Sequence, residues 1–279
     1  MHRHRLTQSD LECMLRDEKV EPKALPLILL EDITNGFSDE REIGRGGFAV
    51  VYKGMLENGA AVAVKRLSNT HMCDKEFEQE VECLIKVNHT NVVRFIGYCA
   101  DSQGRAVSNN GKIVIADVRQ RLLCFEYLDN GSLDTYIDEA SSGLDWRKRY
   151  QIINGICKGL HYLHQNRILH LDLKPPNILL DDNMLPKIAD FGLSRCFDEK
   201  QSRAFTTNIA GTMGYLPPEF DSGTITYWFD LYSLGVIIME ILTRKRGYKA
   251  VEDILESWSI RLEQSQKDIQ LNKYEYALR

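Results

Sequence analysis

Three stretches of the chain carry side chains suited to reaction. The first is a glycine run, Gly44-Arg45-Gly46-Gly47-Phe48-Ala49-Val50-Val51, with Lys65 following at the end of Val62-Ala63-Val64. Lacking a Cβ, glycine lets backbone N–H groups approach phosphate oxygens closely. The run also fits a dinucleotide-binding fingerprint in which Ala replaces the third glycine, but that loop must open a helix. Here Val50-Val51-Tyr52-Lys53 continues as a β-type run, turns at Glu57-Asn58-Gly59 and returns through Ala61-Val62-Ala63-Val64 to Lys65. An ammonium at that point can pair with α- and β-phosphates. Glu80 sits on a helical wheel about 40° from Leu84 and about 60° from Phe77, so it can face the sheet and hold Lys65. The second and third places are His170-Leu171-Asp172-Leu173-Lys174-Pro175-Pro176-Asn177 and Asp190-Phe191-Gly192. Phosphoryl transfer needs a carboxylate beside the attacking hydroxyl and oxygen ligands for magnesium, which neutralises charge on the phosphates. Asp172 is the candidate base, and Asn177 and Asp190 are the candidate metal ligands.

These groups need elements to hold them. Residues 1–38 read as a polar leader, either a tail or a packed flap. Short β-type runs follow from Glu42 to Lys65, then an amphipathic helix from Asp74 to Val87 with Phe77, Val81 and Leu84 on one face. Two further β-like runs, Val92–Tyr98 and Leu122–Leu128, flank a polar stretch at 101–121. Within it Asn109-Asn110-Gly111 precedes Lys112-Ile113-Val114-Ile115, an extra surface hairpin with no chemistry of its own. Ile152, Ile153, Ile156, Leu160 and Leu163 mark a helix, and the nearly all-apolar Leu231–Leu242 marks a buried one. A strand-rich first part and a helix-rich second part imply two lobes.

Composition narrows the function classes. At 279 residues, with 43% hydrophobic and 27% charged residues, the chain has the make-up of a folded soluble protein. A net charge of −5 offers no excess that would attract nucleic acid or an anionic membrane. Seven cysteines, an odd number with no CxxC pair, favour free thiols in a reducing compartment over a disulfide framework. The basic start Met1-His2-Arg3-His4-Arg5 runs into polar residues without a signal-like apolar stretch, and no run is long enough to span a bilayer. A cytoplasmic protein without a transmembrane segment is the expectation.

Taken together the motifs resemble the eukaryotic protein kinase family. More narrowly, Phe77-Glu78-Gln79-Glu80-Val81, Asn88-His89-Thr90-Asn91-Val92-Val93, Gly97-Tyr98-Cys99, Asn130-Gly131-Ser132-Leu133 and Gly211-Thr212-Met213-Gly214-Tyr215-Leu216-Pro217-Pro218-Glu219 are similar to plant receptor-like and receptor-like cytoplasmic kinases. The resemblance implies a bilobal α+β fold with ATP in the cleft: a leader at 1–38 and a kinase domain at 39–279, its N-lobe at about 39–128 including the 101–121 insertion, its C-lobe at about 129–279. It implies Asp172, Lys174, Lys65 and Glu80 as catalytic residues. Gly44, Gly46, Gly47, Val51, Ala63, Glu126, Leu128 and Leu179 join Lys65 around the nucleotide, with Phe125 as gatekeeper and Glu126–Leu128 as hinge. Asn177 and Asp190 would hold Mg2+, or Mn2+. Lys174, two residues after the base, resembles the serine/threonine-specific pattern, so the implied partners are ATP, proteins bearing Ser or Thr, and a receptor or co-receptor kinase able to recruit the chain to the plasma membrane. Thr206 and Thr207 are the first phosphosite candidates, Thr212 belongs to the substrate-binding loop, and Asp230 anchors the catalytic-loop backbone.

Three features depart from the family pattern. Leu171 occupies the place of the usual catalytic-loop Arg, which removes an anchor for activation-loop phosphate. Ala49 replaces the third glycine. No CxxxxPxxRP-like segment follows Leu242, which leaves Glu219 without its expected arginine. Without the leader of about 38 residues and the stretch of about 20, about 220 remain, short of the roughly 250 expected of a complete two-lobe kinase. An incomplete C-lobe is therefore expected, and with it an alternative function: a weak or inactive nucleotide-binding scaffold.

Overall fold

The computed structural model describes residues 6–68, 74–109, 112–137, 144–197, 204–205, 211–218, 220, 224–246 and 255–260. In chain order its elements are α1 (Gln8–Arg16), β1 (Lys23–Ala24), α2 (Leu27–Ile33), β2 (Glu42–Arg45), β3 (Ala49–Met55), β4 (Ala61–Leu67), α3 (Asp74–Ile85), β5 (Phe95–Asn109), β6 (Lys112–Glu126), α4 (Asp134–Ile137), α5 (Trp146–Gln165), β7 (Ile168–Leu169), β8 (Ile178–Leu180), β9 (Pro186–Ile188), β10 (Arg195–Cys196), β11 (Ala204–Phe205), β12 (Thr224–Ile225) and α6 (Trp228–Thr243).

The first lobe is built on a six-stranded sheet in the order β1-β5-β6-β4-β3-β2. Cross-strand partners share a face, so the register sorts the side chains. Val51 and Lys65, Lys53 and Ala63, and Ala63 and Phe125 pair on one face; Tyr52 and Val64, Gly54 and Val62, and Val64 and Cys124 pair on the other. The first face holds the cleft. The second is covered by the leader, which is a packed flap and not a tail: Leu11, Met14, Leu25, Leu29, Leu30 and Ile33 form one buried cluster with Val62, Val64, Leu122 and Cys124.

Local chemistry explains why the leader folds. Thr7 and Asp10 close a capping box at the start of α1. At its other end the Arg94 guanidinium donates to the carbonyls of Met14, Leu15 and Asp17 at 2.6–3.1 Å, satisfying acceptors that a helix end leaves open. Two glycines make the seat. A Cβ on Gly54 would come within 2.9 Å of Ile33 in α2, and one on Gly97 would lie 2.2 Å from the Lys23 carbonyl, where β1 joins β5 in parallel.

The 101–121 stretch is not a separate hairpin. β5 and β6 pair from Phe95 opposite Phe125, shift register once between Phe95 and Gly97, and then stay in register from Gly97 opposite Cys124 out to Asn109 opposite Lys112, so the sheet extends as one long arm. Its tie to α3 is electrostatic: Asp74 accepts from Arg119 at 2.9 Å and from Arg121 at 2.7 and 3.0 Å.

The second lobe is helical, with α5 against α6 and two short strand pairs, β7–β10 and β8–β9, carrying the loops of interest. Ile152, Ile156, Leu160 and Leu163 of α5 share one core with Ile237 and Ile241 of α6 and with Leu67, Phe77, Val81 and Leu84 beside the sheet. The architecture is thus the expected α+β, two-lobed one. Among the described residues no helix is long and apolar enough to cross a membrane.

The expectation of free thiols fails at one place. Cys83 of α3 and Cys196 of β10 form a disulfide with Cα atoms 5.9 Å apart. These cysteines are 113 residues apart in sequence and meet only because α3 packs on β10, which a search for local cysteine spacing could not reveal. Cys13, Cys99, Cys124 and Cys157 are free.

Candidate active site

The glycine loop is the turn between β2 and β3, closed by the Gly46 N–H donating to the Ala49 carbonyl at 2.9 Å. The fold itself does not require its glycines. None has left-handed φ, and an added Cβ on Gly44, Gly46 or Gly47 would meet nothing closer than 3.8 Å. Space that a side chain could fill is kept open, which fits close approach by phosphate groups.

Lys65 lies on the cleft face of β4, opposite Val51. Its Nζ donates to Glu80 Oε1 at 2.9 Å and to Asp190 Oδ1 at 2.8 Å. Glu80 is 3% exposed, on the α3 face that also buries Phe77, Val81 and Leu84. Burial works against the Lys65 ammonium, yet Glu80 and then Asp190 outweigh it and raise its pKa. The same ammonium lowers the Asp190 carboxyl to about 2. Lys65, Glu80 and Asp190, distant in sequence, are therefore brought together as a charged triad.

The second cluster surrounds Asp172. Its Oδ2 accepts from Lys174 Nζ at 2.7 Å and from Asn177 Nδ2 at 3.1 Å, while its Oδ1 accepts from the Thr212 hydroxyl at 2.7 Å. Lys174 Nζ also donates to Thr212 Oγ1 at 2.8 Å. An alcohol is thus seated on the carboxylate, with an ammonium on both partners. The two clusters adjoin, because the Ala189 N–H donates to the Asn177 carbonyl at 2.8 Å. Asn177 Oδ1 and the Asp190 carboxylate are hard oxygen donors of the kind that magnesium-class cations take, so the residues fit such an ion.

The loop holding Asp172 is positioned by residues behind it. The fully buried Asp230 carboxylate accepts the backbone N–H groups of His170 and Leu171 at 2.9 and 2.8 Å, and His164 Nε2 lies 2.9 Å from it. Leu171 has φ of 66°, a left-handed conformation costly for a branched residue, and these bonds hold it there. His170 received no role from the sequence, although it opens the motif. Its Nδ1 accepts the Asp172 N–H at 3.3 Å and its Nε2 donates to the Ala189 carbonyl at 2.9 Å, joining the two loops through one imidazole.

Around the remaining cleft, Val51, Ala63, Phe125, Glu126, Leu128 and Leu179 are all partly exposed. Phe125 packs on Phe95, with ring centroids 5.4 Å apart. The Glu126 carboxylate accepts the Arg94 N–H and the Lys187 ammonium, both at 2.7 Å. Ser194 is buried and bonded to the His170 carbonyl. Thr206, Thr207 and Glu219 lie outside the described residues.

Comparison with known proteins gives this arrangement a family. The model of the protein kinase domain matches residues 37–276. The chain belongs to the protein kinase family. Among curated relatives, the receptor-like serine/threonine-protein kinase SD1-7 of Arabidopsis thaliana is 42% identical over 83% of this chain and 27% of its own length. Cysteine-rich receptor-like protein kinase 29 of the same plant is 44% identical over 82% of this chain and 34% of its own length. Cysteine-rich receptor-like protein kinase 10 of Oryza sativa subsp. japonica is 39% identical over 88% and 37%. The chain therefore spans between 27% and 37% of these relatives' lengths, and the protein kinase domain is a class that uses ATP, a divalent metal and protein substrates.

Proposed function

We propose that the chain transfers the γ-phosphoryl group of ATP to Ser or Thr hydroxyls of proteins, as the kinase domain of a plant-type receptor or defence signalling system. The observation that carries this reading is the Thr212 hydroxyl seated 2.7 Å from Asp172 Oδ1 with Lys174 Nζ 2.8 Å from the same hydroxyl. A substrate alcohol placed there would find both a base and a cation.

In this reading Asp172 accepts the proton of the attacking hydroxyl, and Asn177 and Lys174 orient the carboxylate through their bonds to Oδ2. Lys174 also stabilises negative charge where the phosphoryl group passes. Lys65, held by Glu80, binds α- and β-phosphate oxygens, and the open backbone of Gly44, Gly46 and Gly47 lies over them. Val51, Ala63 and Leu179 enclose the adenine, with Glu126 and Leu128 offering hinge backbone groups to its edge. Asn177 and Asp190 would hold Mg2+, which, with ATP bound, neutralises charge on the β- and γ-oxygens.

The domain occupies 39–279, with the lobes meeting near residue 128, and 1–38 acts as an integral flap. A partner kinase at the plasma membrane is the natural recruiter of such a domain in the cytoplasm. Intact Lys65, Glu80, Asp172, Asn177 and Asp190 favour an active enzyme over a scaffold. Purified chain with ATP and magnesium should phosphorylate itself or a generic protein, whereas Asp172→Asn should lose at least about a hundredfold in rate. Transfer by Asp172→Asn at the parent rate would remove the proposed base.

A further inference from the structure

We propose that Cys83 and Cys196 are a reversible redox-modification site, a clasp whose closure holds α3 against the catalytic strands. The proposal rests on the kinase reading and deepens it by naming a regulation of the same cleft. Cys83 lies one helical turn beyond Glu80 on α3, so both side chains occupy the same face. Cys196 belongs to β10, which pairs with β7 in the register Cys196 opposite Ile168. β7 leads directly into His170-Leu171-Asp172. The bond therefore joins the helix that presents Glu80 to the strand pair from which the catalytic loop departs.

Position suits the pair to reversible chemistry. Their Cα separation of 5.9 Å lies within the ordinary disulfide range. Cys196 is partly exposed and next to the exposed Arg195, whereas Cys83 is 1% exposed. Cys196 is thus the sulfur an oxidant reaches first and Cys83 the one that resolves. The two buried free thiols are poorer candidates: burial raises Cys99 to about 11 and Cys124 to about 12, and neither has a cysteine partner.

The oxidant is a hydroperoxide. The Cys196 thiolate attacks the peroxide oxygen, the O–O bond breaks, and a sulfenic acid and an alcohol or water result. The Cys83 thiolate then attacks Cys196 Sγ, forming the S–S bond and releasing water. Two thiols are oxidised as one peroxide is reduced. A dithiol reductant reverses the change by exchange, leaving as its own disulfide.

Closure favours the geometry in which Glu80 meets Lys65. In the reduced state α3 keeps its ion pairs and apolar packing but loses its covalent tie. The test treats the 279-residue chain with hydrogen peroxide or dithiothreitol, maps disulfides by non-reducing mass spectrometry, follows hydrogen exchange in α3 and measures phosphate transfer. The expected result is a peroxide-formed Cys83–Cys196 peptide that dithiothreitol dissolves, slower exchange in α3, and transfer about fivefold or more faster when oxidised. Cys83→Ser and Cys196→Ser should fold, keep the reduced activity and lose the response. Absence of that cross-link, pairing with another cysteine, failure of dithiothreitol to open it, or a closed clasp with unchanged exchange each overturns the proposal. If neither state transfers phosphate, the kinase reading fails while cross-link and exchange still decide the clasp.

Discussion

Leu171 sits between His170 and Asp172, yet its side chain is 8% exposed and lies in an apolar cluster with Leu169, Phe197, Ile225 and Phe229, flanked by Leu193, Leu216 and Phe220. Residues before and after the 198–210 stretch thus meet around Leu171 through apolar contact, where an arginine would demand a phosphate partner. We expect Leu171→Arg to destabilise the protein by roughly 2–4 kcal/mol, since a guanidinium would be buried without an anion; a thermal melt at the parent temperature would contradict this. For the same reason Thr206→Ala with Thr207→Ala should cost less than about tenfold in transfer rate, a barrier change under about 1.4 kcal/mol. The Lys65–Asp190 pair sets a pH window. Asp190 titrates at about 2 against about 3.9 when unfolded, so its contribution is complete above about pH 4 and is lost as pH falls towards 2. Lys65 is shifted upward, so its contribution is complete below about pH 10.4 and fades only above that. The melting difference between the parent and Asp190→Asn should hold steady from about pH 5 to 9 and shrink below about pH 4. Its size is moderated by water, because the Asp190 side chain is 47% exposed. A difference that widened on acidification would reverse the assigned sign. The motif residues were legible because their chemistry imposes local spacing; the roles of His170 and the Leu171 cluster were not, because they depend on what folds against them.

At the scale of elements, α3 is held at several points. Asp74 at its start binds Arg119 and Arg121 of the long hairpin, Glu80 in its middle binds Lys65, and beyond its end the Tyr162 hydroxyl accepts the Asn88 N–H at 2.9 Å. The hairpin was legible as Asn-Gly turn chemistry, but not as an arm continuous with the sheet that clamps this helix. Asp74 and Arg121 are 47 residues apart, and single charges in a polar stretch carry no signal of pairing. Partly exposed ion pairs contribute up to about 1 kcal/mol each. Arg121→Ala should therefore speed hydrogen exchange in the first turn of α3 and lower transfer by about three- to tenfold, with Asp74→Ala giving a similar loss. Equal exchange in parent and variant would show that the clamp does not steady the helix.

For the whole molecule, a flap of two short helices and a strand completes the sheet's outer face, and a network from α1 through Arg94 and Glu126 to Lys187 links it to the hinge and to β9. The β-type runs around Val50–Lys53 and Ala61–Val64 announced a small sheet, while the leader's role depended on a strand pairing 74 residues away, Lys23 with Gly97 and Ala24 with Tyr98. Leu11→Ala, at a position 1% exposed, should cost roughly 2–5 kcal/mol if the flap belongs to the folding unit. A cost below about 0.5 kcal/mol in denaturant unfolding would make it an appendage. The central claim is that these parts position one carboxylate and one ammonium on a substrate alcohol. It is tested most directly by transfer from γ-labelled ATP to a generic protein, followed by phosphoamino-acid analysis, with Lys65→Met and Asp172→Asn in parallel. The account predicts phosphoserine and phosphothreonine from the parent chain and at least about a hundredfold less from each variant; no label above the Asp172→Asn level, or label on tyrosine alone, would contradict it.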